Sequence, residues 1–478
     1  MKFRIPHVFA LLFLMIIFCA AVSYIVPSGQ FERKEKQVGH LTKTVVQPGT
    51  YKNLPKSISL KGLLLSEDRV EGKAQPVSLM QVLTAIPRGM ERSADIIFFI
   101  FIVGGVISIL QRSGVIVASI HAVLNRFEHA GPWVIGLIMV LLATAASTLG
   151  MGEEFIPLVP IFLMISKRLG YDRIFGLAIV VIAAEVGFAA ATTNPFTVGI
   201  AQGIAELEMG SGMFFRVVFA VICLAFAISY VLWYGRKVKK DPSKSLMPDD
   251  TFHDEDHGHE EHIHFTRQHG LILLTGIPLF GLIIYGTQKL GWYMAELGGG
   301  FILIGIITAV IARMSINETA RAAVKGMEEM VVAALVVGFA RGIEVVMLDG
   351  QILDSLINHA SDTLTKVPAI ISVQGMLIFQ TTLNFLIPSG SGQAAVTMPI
   401  MTPLADLIGI TRQTAVFAFT CGDGFSNSII PTSGFLMAML ALAKVPYTKW
   451  LRFMLPLFIV LFVLSMIFLS IAVFINYQ

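Results

Sequence analysis

The stretch "LNFLIPSGSGQAAVTMP", Leu383 to Pro399, decides how the chain is read. It lies in one of the most apolar regions, yet its centre, Pro-Ser-Gly-Ser-Gly-Gln, has the composition of a tight turn. In a water-soluble protein such a turn would sit at the surface. This chain is not composed like one. Of its 478 residues 55% are hydrophobic and 14% charged, with a mean hydropathy of +0.74. Soluble chains carry about 25% charged residues. An α-helical span needs ~20 mostly apolar residues, and many segments qualify. The alternating ~10-residue segments of a β-barrel are missing. The expected fold class is an all-α polytopic membrane protein.

Apolar runs predict spans near residues 7–27, 93–110, 172–207, 213–234, 270–288, 297–314, 330–348, 412–445 and 451–475. The first run is about as long as a full span and lacks a small-x-small cleavage site, so residues 1–27 read as a retained helix rather than a signal peptide. Clusters at Lys2/Arg4, Arg112/Arg126, Lys167/Arg168/Arg173, "GRKVKK" at 235–240, Arg313/Arg321/Lys325 and Lys444/Lys449/Arg452 fall on one side if the N-terminus is cytoplasmic. The expected location is a bacterial inner membrane, crossed several times, with the N-terminus cytoplasmic. Residues 28–85, with the alternating "GQFERKEKQVGHLTKTVVQPGTY", read as an extracytoplasmic element with strand character. With this orientation, 131–167 and 368–405 each begin and end on one side. They are expected to be re-entrant hairpins entering from opposite sides.

Self-similarity supports this arrangement. Residues 150–173, "GMGEEFIPLVPIFLMISKRLGYDR", and 389–412, "SGSGQAAVTMPIMTPLADLIGITR", match at Pro160/Pro399, Gly170/Gly409 and Arg173/Arg412 with equal spacing. Residues 183–197 parallel 420–435, and "RGMER" (88–92) parallels "KGMEE" (325–329). The expectation is two inverted-topology repeats, each with a re-entrant hairpin and an interrupted transmembrane helix. Repeat 1 covers 86–235, with its interrupted helix at 172–207. A cytoplasmic linker covers 236–268. Repeat 2 covers 269–478, with its interrupted helix at 412–445. Such an architecture belongs to secondary transporters, which place their site where hairpin tips meet broken helices.

At the second tip, glycines let the chain turn sharply and let a ligand approach the backbone. A short helix from Ala394 onward leaves N–H groups free at its start, and these favour an anion such as a carboxylate. Ser389, Gly390, Ser391, Gly392 and Gln393 form this candidate, with Asn384 just upstream. The competing reading is a plain turn at a membrane face. At the first tip, Gly152, Glu153 and Glu154 put adjacent carboxylates in an apolar run, at about 3 kcal/mol each. They either complement a helix N-terminus or face a cationic ligand group. Glu185, Thr192, Thr193 and Asn194 mark the first interruption, expected near 187–195, where Pro195 cannot donate to a helix. Asp423, Ser426, Asn427, Ser428 and Thr432 mark the second, near 422–433. Intramembrane acids are candidate site residues, although Glu185 can instead pair with a buried partner. Arg341 has Glu344 at i+3, so the two can neutralise each other, or Arg341 can hold a substrate carboxylate. A dicarboxylate would call for several cations here. A molecule with one carboxylate and one cationic group fits this set better.

The tract 241–267 contains His257, His259 and His262 among acids, which reads either as a solvated linker or as a metal-binding segment. Cys19, Cys223 and Cys421 are isolated in apolar segments and read as packing residues. No catalytic constellation, cofactor motif or nucleic-acid patch is found.

"IVPSGQFER" at 25–33, "VVQPGTY" at 45–51, "NFLIPSGSGQAAVTMPIMTPLADLIGITRQ" at 384–413 and "GDGFSNSIIPTSG" at 422–434 resemble the C4-dicarboxylate anaerobic carrier family of the ion transporter superfamily. Within it they are most similar to a YfcC-like branch of basic amino acid antiporters related to arginine/ornithine exchangers. The resemblance covers nearly the whole chain. It implies inverted repeats, a homodimer and an elevator-type motion, with the tips at Gly150–Glu154 and Ser389–Gln393 and the helix breaks at Thr192–Asn194 and Ser426–Ser428. Related sodium-coupled carriers have Ser-Asn-Thr at both tips. Neither tip here has it, so the resemblance does not extend to a sodium site.

Overall fold

The computed structural model describes residues 8–38, 41–65, 72–126, 131–248, 250, 265–286, 290, 292 and 294–478. The chain opens with α1 (Val8–Ile25). Four short strands follow: β1 (Ser28–Gln30), β2 (Arg33–Val38), β3 (Leu41–Val46) and β4 (Lys52–Leu54). They pair antiparallel as β1–β4 and β2–β3. Then come α2 (Leu60–Leu64), α3 (Leu79–Arg92), α4 (Ala94–Arg112) and α5 (Val115–Arg126). The first hairpin is α6 (Gly131–Leu149), a 3-10 segment (Glu153–Leu158) and α7 (Val159–Arg168). After it run α8 (Arg173–Ala189), α9 (Val198–Ile204) and α10 (Met213–Lys240). Beyond the linker are α11 (Arg267–Tyr285) and α12 (Met294–Ile311).

The second half continues with α13 (Ile316–Glu329), α14 (Val331–Asp349) and α15 (Leu353–Leu364). Its hairpin is α16 (Ala369–Asn384) and α17 (Gly390–Ile408). The chain ends with α18 (Arg412–Asn427), α19 (Gly434–Leu442) and α20 (Tyr447–Phe474). Among the described residues α4, α10, α12 and α20 are each long and apolar enough to cross a bilayer. Large apolar side chains such as Phe214, Leu274, Val310 and Phe474 lie exposed along the helices, as a lipid-facing surface requires. The protein is a mostly helical, multi-pass membrane protein.

The same helix contacts occur in each half. Both arms of the first hairpin pack on α8, and both arms of the second on α18. Helix α10 packs on α8 as α20 packs on α18, and α8 and α18 meet each other. The partners of α3 and α4 are exchanged between halves: α3 lies on α14, and α13 on α4. Helices α3 and α13 are missing from the apolar runs because they are amphipathic. Helix α3 buries Val82, Ala85 and Gly89 along one face, and a Ser78–Gln81 capping box starts it. Ser315 caps α13 through the Glu318 N–H.

The strands dock on one side of the second half. The Phe31 N–H donates to Asp354 at 2.8 Å, and the Arg33 guanidinium reaches the same carboxylate at 2.8 Å. The Ser28 hydroxyl donates to the Gly350 carbonyl at 3.0 Å. Strand β3 also packs on α17, so one small element touches both α15 and a hairpin arm.

At the centre, Gly424 lets α18 cross α8 closely: a Cβ there would stand 2.3 Å from the Ala189 backbone. Gly424→Val is therefore expected to separate the two helices, at about 1–3 kcal/mol or more for overpacking, and to lower the thermal midpoint in detergent. Gly276→Ala, in α11 with nothing within 4 Å, is expected to leave the midpoint unchanged or raise it slightly, since Ala outranks Gly in a helix interior.

Candidate functional site

A cavity of about 230 Å³ lies where the two halves meet. The first half supplies Gly150, Gly152 and Glu153 from its tip, Glu185 and Phe188 from α8, and Phe196 and Thr197 from the break before α9. The second supplies Ser389, Gly390 and Ser391 from its tip, Asp423 and Asn427 from α18, and Thr432 and Ser433 from the break before α19. Ser93, Val337, Ala340 and Arg341 form the facing wall, with Trp292, Met294 and Leu297 beside them.

Glu185 and Asp423 hold matched places. Each lies one helical turn before the end of its helix, and they are 3% and 1% exposed. Their surroundings differ. Asp423 stands against the first residue of α17: a Cβ on Gly390 would lie 3.0 Å from Asp423 Oδ2. Ser389 caps that helix, so its positive end faces the Asp423 carboxylate. Glu185 has Asp423 and Glu153 as its charged neighbours. Across the cavity, Arg341 Nη1 holds Glu344 Oε2 at 2.5 Å, and its Nε donates to Ser93 Oγ at 3.3 Å. Among the described residues Glu185 Oε1, Asp423 Oδ1, Thr197 Oγ1 and Thr432 Oγ1 are buried without a hydrogen-bond partner.

The breaks themselves are tied down. The backbone N–H groups of Thr192, Thr193 and Asn194 converge on the Ser147 carbonyl at 2.9, 3.2 and 3.1 Å. The Thr193 hydroxyl donates to Thr148 O at 3.1 Å, and the Asn194 amide to Ala146 O at 3.3 Å. On the carbonyl side, Arg216 Nη2 donates to Thr192 O at 3.0 Å, and Trp450 Nε1 donates to Ser428 O at 2.8 Å. Arg216 is the fourth residue of α10 and Trp450 the fourth of α20. Both are 0% exposed. The two halves thus solve one problem in the same place with different donors. Neither residue stands out as a site residue in the sequence. The usable signal is a donor near the start of the helix that follows each break.

Proteins of known sequence now give the family. A profile of the C4-dicarboxylate anaerobic carrier family matches residues 5–474. The chain belongs to that family. It is 31% identical, over 97% of its own length and 95% of the relative's, to an Escherichia coli (strain K12) protein named "Putative basic amino acid antiporter YfcC". It is 28% identical to an uncharacterized protein of Haemophilus influenzae, covering 98% and 97% of the two chains. Among solved structures, the Alcanivorax borkumensis YdaH transporter has a TM-score of 0.44 at 14% identity, covering 99% of both chains. Neisseria gonorrhoeae MtrF, described as illuminating a class of antimetabolite efflux pumps, has a TM-score of 0.42 at 18% identity, covering 99% and 96%. By the family match over residues 5–474, the chain is a member of a family of secondary transporters.

Within this carrier the expected site residues divide. Gly152, Glu153, Glu185, Ser389, Gly390, Ser391, Asp423, Asn427, Thr432 and Arg341 line the cavity. Thr192, Thr193 and Asn194 face α6 instead. The breaks are 190–197 and 428–433 rather than 187–195 and 422–433. Asp423 is therefore helical, and its flanking glycines serve close packing: Gly424 on Ala189 and Gly422 on Gln380. Helix α17 starts at Gly390, not Ala394, because Ser389 caps it. The first tip leads into a 3-10 segment with no side-chain cap at Gly152.

Several polar residues expected at the site instead bond within the hairpin, between the hairpin and α18, or along α18. Gln393 donates to Gln380 O at 2.9 Å and Gln380 Oε1 at 2.7 Å. The Gly392 N–H is bonded to the Ser389 cap. The Asn384 amide faces Asp423 O at 2.9 Å and Ser426 Oγ and Asn427 Oδ1 at 2.8 Å each, three acceptors for two N–H groups. The Ser426 and Ser428 hydroxyls return to the carbonyls of Gly422 and Phe425 at 2.6 Å. The side chain of Glu154 and residues His257, His259 and His262 lie outside what the structure describes. Thr197, Ser93, Phe188 and Trp292 line the cavity without having been expected there. Thr197 follows Pro195 much as Thr432 follows Pro431, so the repeat held a signal for it.

Trp450→Phe is expected to unpair the buried Ser428 carbonyl at about 1–3 kcal/mol and to lower the thermal midpoint in detergent. Trp233→Phe, at a ring 55% exposed, is expected to leave it within error.

Proposed function

We propose that the protein is an inner-membrane secondary active transporter, with a cytoplasmic N-terminus, that exchanges cationic amino acids of the arginine, ornithine and lysine type. One observation carries this reading: three acids, Glu153, Glu185 and Asp423, line the cavity, whereas Arg341 is already engaged with Glu344. A ligand that brings a positive group relieves that imbalance, and a second carboxylate would add to it. The carboxylate end of such a ligand finds donors in Ser389, Ser391 and the Ser93–Arg341 wall. Its cationic end finds Glu185 and Asp423. The name carried by the 31%-identical relative agrees with this substrate class.

The matched helix contacts of the two halves support two inverted repeats with re-entrant hairpins. The cavity lies between the hairpin-bearing helices and α14, as an elevator needs if one part carries the ligand past the other. A homodimer is part of the same family expectation. No catalytic role is proposed.

A second reading, a C4-dicarboxylate carrier coupled to protons or sodium, draws on the family name and on Arg341 at the cavity wall.

Counterflow in proteoliposomes separates the two. Preloaded arginine is expected to drive uptake of labelled arginine, ornithine or lysine and not of succinate or malate. Uptake of the dicarboxylates alone would replace this reading with the second. Passive, unsaturable flux would mean a channel. Asp423→Asn is expected to weaken arginine binding about ten- to a hundredfold, the loss of a charge-assisted hydrogen bond. Unchanged affinity would take Asp423 out of the site.

A further inference from the structure

Trp292 stands between α11 and α12, partly buried, beside the wall that holds Arg341. Its backbone N–H donates to Gly286 O at 3.1 Å. The ring is seated on the same residue: a Cβ on Gly286 would collide with Cε3 and Cδ2 of the indole. It also packs against the core that contains Ile283, Met294 and Leu297. A glycine, a backbone hydrogen bond and an apolar bed thus fix where the indole lies. Tryptophan in a membrane protein commonly marks the interface with water, and Trp133 and Trp233, 85% and 55% exposed, have that character. Trp450 is fully buried and spends its indole N–H on the Ser428 carbonyl. Among the described residues Trp292 is the tryptophan that lines the cavity.

The opposite wall carries acids and a second ring. Phe188 lies one turn beyond Glu185 on α8 and against the first tip, where a Cβ on Gly152 would stand 3.2 Å from Phe188 Cζ. Glu153, the next residue of that tip, and Glu185 share the cavity with Trp292. A cation drawn in by these carboxylates therefore meets aromatic rings on both walls. Indole is the best of the aromatic side chains for holding a cation, and the cations of the proposed substrates do not use it equally. A guanidinium is flat and weakly hydrated, and it stacks on a ring while its N–H groups stay free for carboxylates. An ammonium is compact and strongly hydrated, so it gives up more water for the same contact.

We propose that Trp292 contacts the substrate and selects a guanidinium over an ammonium, so that the cavity favours arginine over ornithine and lysine. This rests on the proposed cationic substrate and narrows it. Glu153, Glu185 and Asp423 attract either cation; the indole tells them apart.

Binding of labelled arginine to the full-length protein in liposomes, displaced by unlabelled arginine, ornithine or lysine, tests this. The wild type should bind arginine most tightly. Trp292→Leu should weaken arginine about two- to thirtyfold and ornithine and lysine by less, so that the preference shrinks. Trp292→Phe, which keeps a ring, should retain most of the preference. A ring that only packs on Gly286 would affect all three ligands alike, so an equal loss in Trp292→Leu overturns the inference. So does a wild type that binds lysine as tightly as arginine. Fluorescence gives a second readout, which stands even if Trp292→Leu does not fold. Arginine should change the tryptophan emission of the wild type and of Trp233→Phe, and change it much less in Trp292→Phe. A signal of undiminished size in Trp292→Phe, or arginine binding that leaves the wild-type emission unchanged, overturns the contact. If the wild type binds none of the three amino acids, the proposed substrate class falls and this inference with it. If it binds them and the preference does not move with Trp292, the inference alone falls.

Discussion

A helix that stops inside a bilayer leaves carbonyl and N–H groups with no water to receive them. Everything at the centre of this protein follows from that constraint. The three N–H groups of the first break share the Ser147 carbonyl. The Thr192 carbonyl takes a guanidinium N–H from Arg216, and the Ser428 carbonyl an indole N–H from Trp450. Arg216 is a costly choice, a cation buried completely. Its place just beyond the C-terminal end of α8 offsets part of that cost, since the helix dipole is negative there. Its Nη1 also meets the Tyr477 hydroxyl at 2.9 Å, which anchors the end of the chain to the break. The breaks can therefore stay open toward the cavity without leaving backbone groups stranded in lipid.

Because the breaks satisfy themselves, the cavity's free chemistry is left to side chains. Among the described residues that line the cavity, the buried oxygens without a hydrogen-bond partner are on Glu185, Asp423, Thr197 and Thr432, two from each half. The halves share helix contacts but differ at the tips: one leads into a helix capped by Ser389 at Gly390, the other into the 3-10 segment that starts at Glu153. What stands opposite each carboxyl therefore differs: the start of α17 lies beside Asp423, while Glu185 has Phe188 and Glu153 among the residues that share its cavity.

Much of this was legible in the sequence, for reasons of period and composition. Apolar runs pointed to the long helices, and the length of 131–167 and 368–405 with the charge pattern suggested two hairpins. Several of the polar residues that interrupt apolar runs, such as Glu185, Ser389 and Asp423, line the central cavity; intramembrane polar groups are costly. What stayed hidden was direction. Gln393 and Asn384 read as ligand groups, but Gln393 turns to Gln380 of the other hairpin arm and Asn384 to α18. Thr192 to Asn194 read as lining, but they face α6. A polar residue next to a break has two uses, holding the break or holding a ligand, and composition does not separate them. The glycines beside Asp423 misled similarly: glycine permits both a broken helix and a tight crossing, and here Gly424 meets Ala189. The amphipathic α3 and α13 escaped because their polar faces keep them below the apolarity of a span.

The pairing of Arg341 with Glu344 bears on the proposed substrate class. Held at 2.5 Å on one helix face, the pair presents a guanidinium whose charge is largely spent. It can still offer N–H donors to a single carboxylate, as Ser93 already shares one. To accept a second carboxylate the cavity would have to break that pair and bring the new charge near Glu153, Glu185 and Asp423, and each of those steps costs desolvation or repulsion. A zwitterion with an added cation needs neither step. Under the proposed substrate class, discrimination would work by penalising the wrong ligand, through an arginine already paired with Glu344 and carboxyl oxygens of Glu185 and Asp423 that lack a hydrogen-bond partner among the described residues.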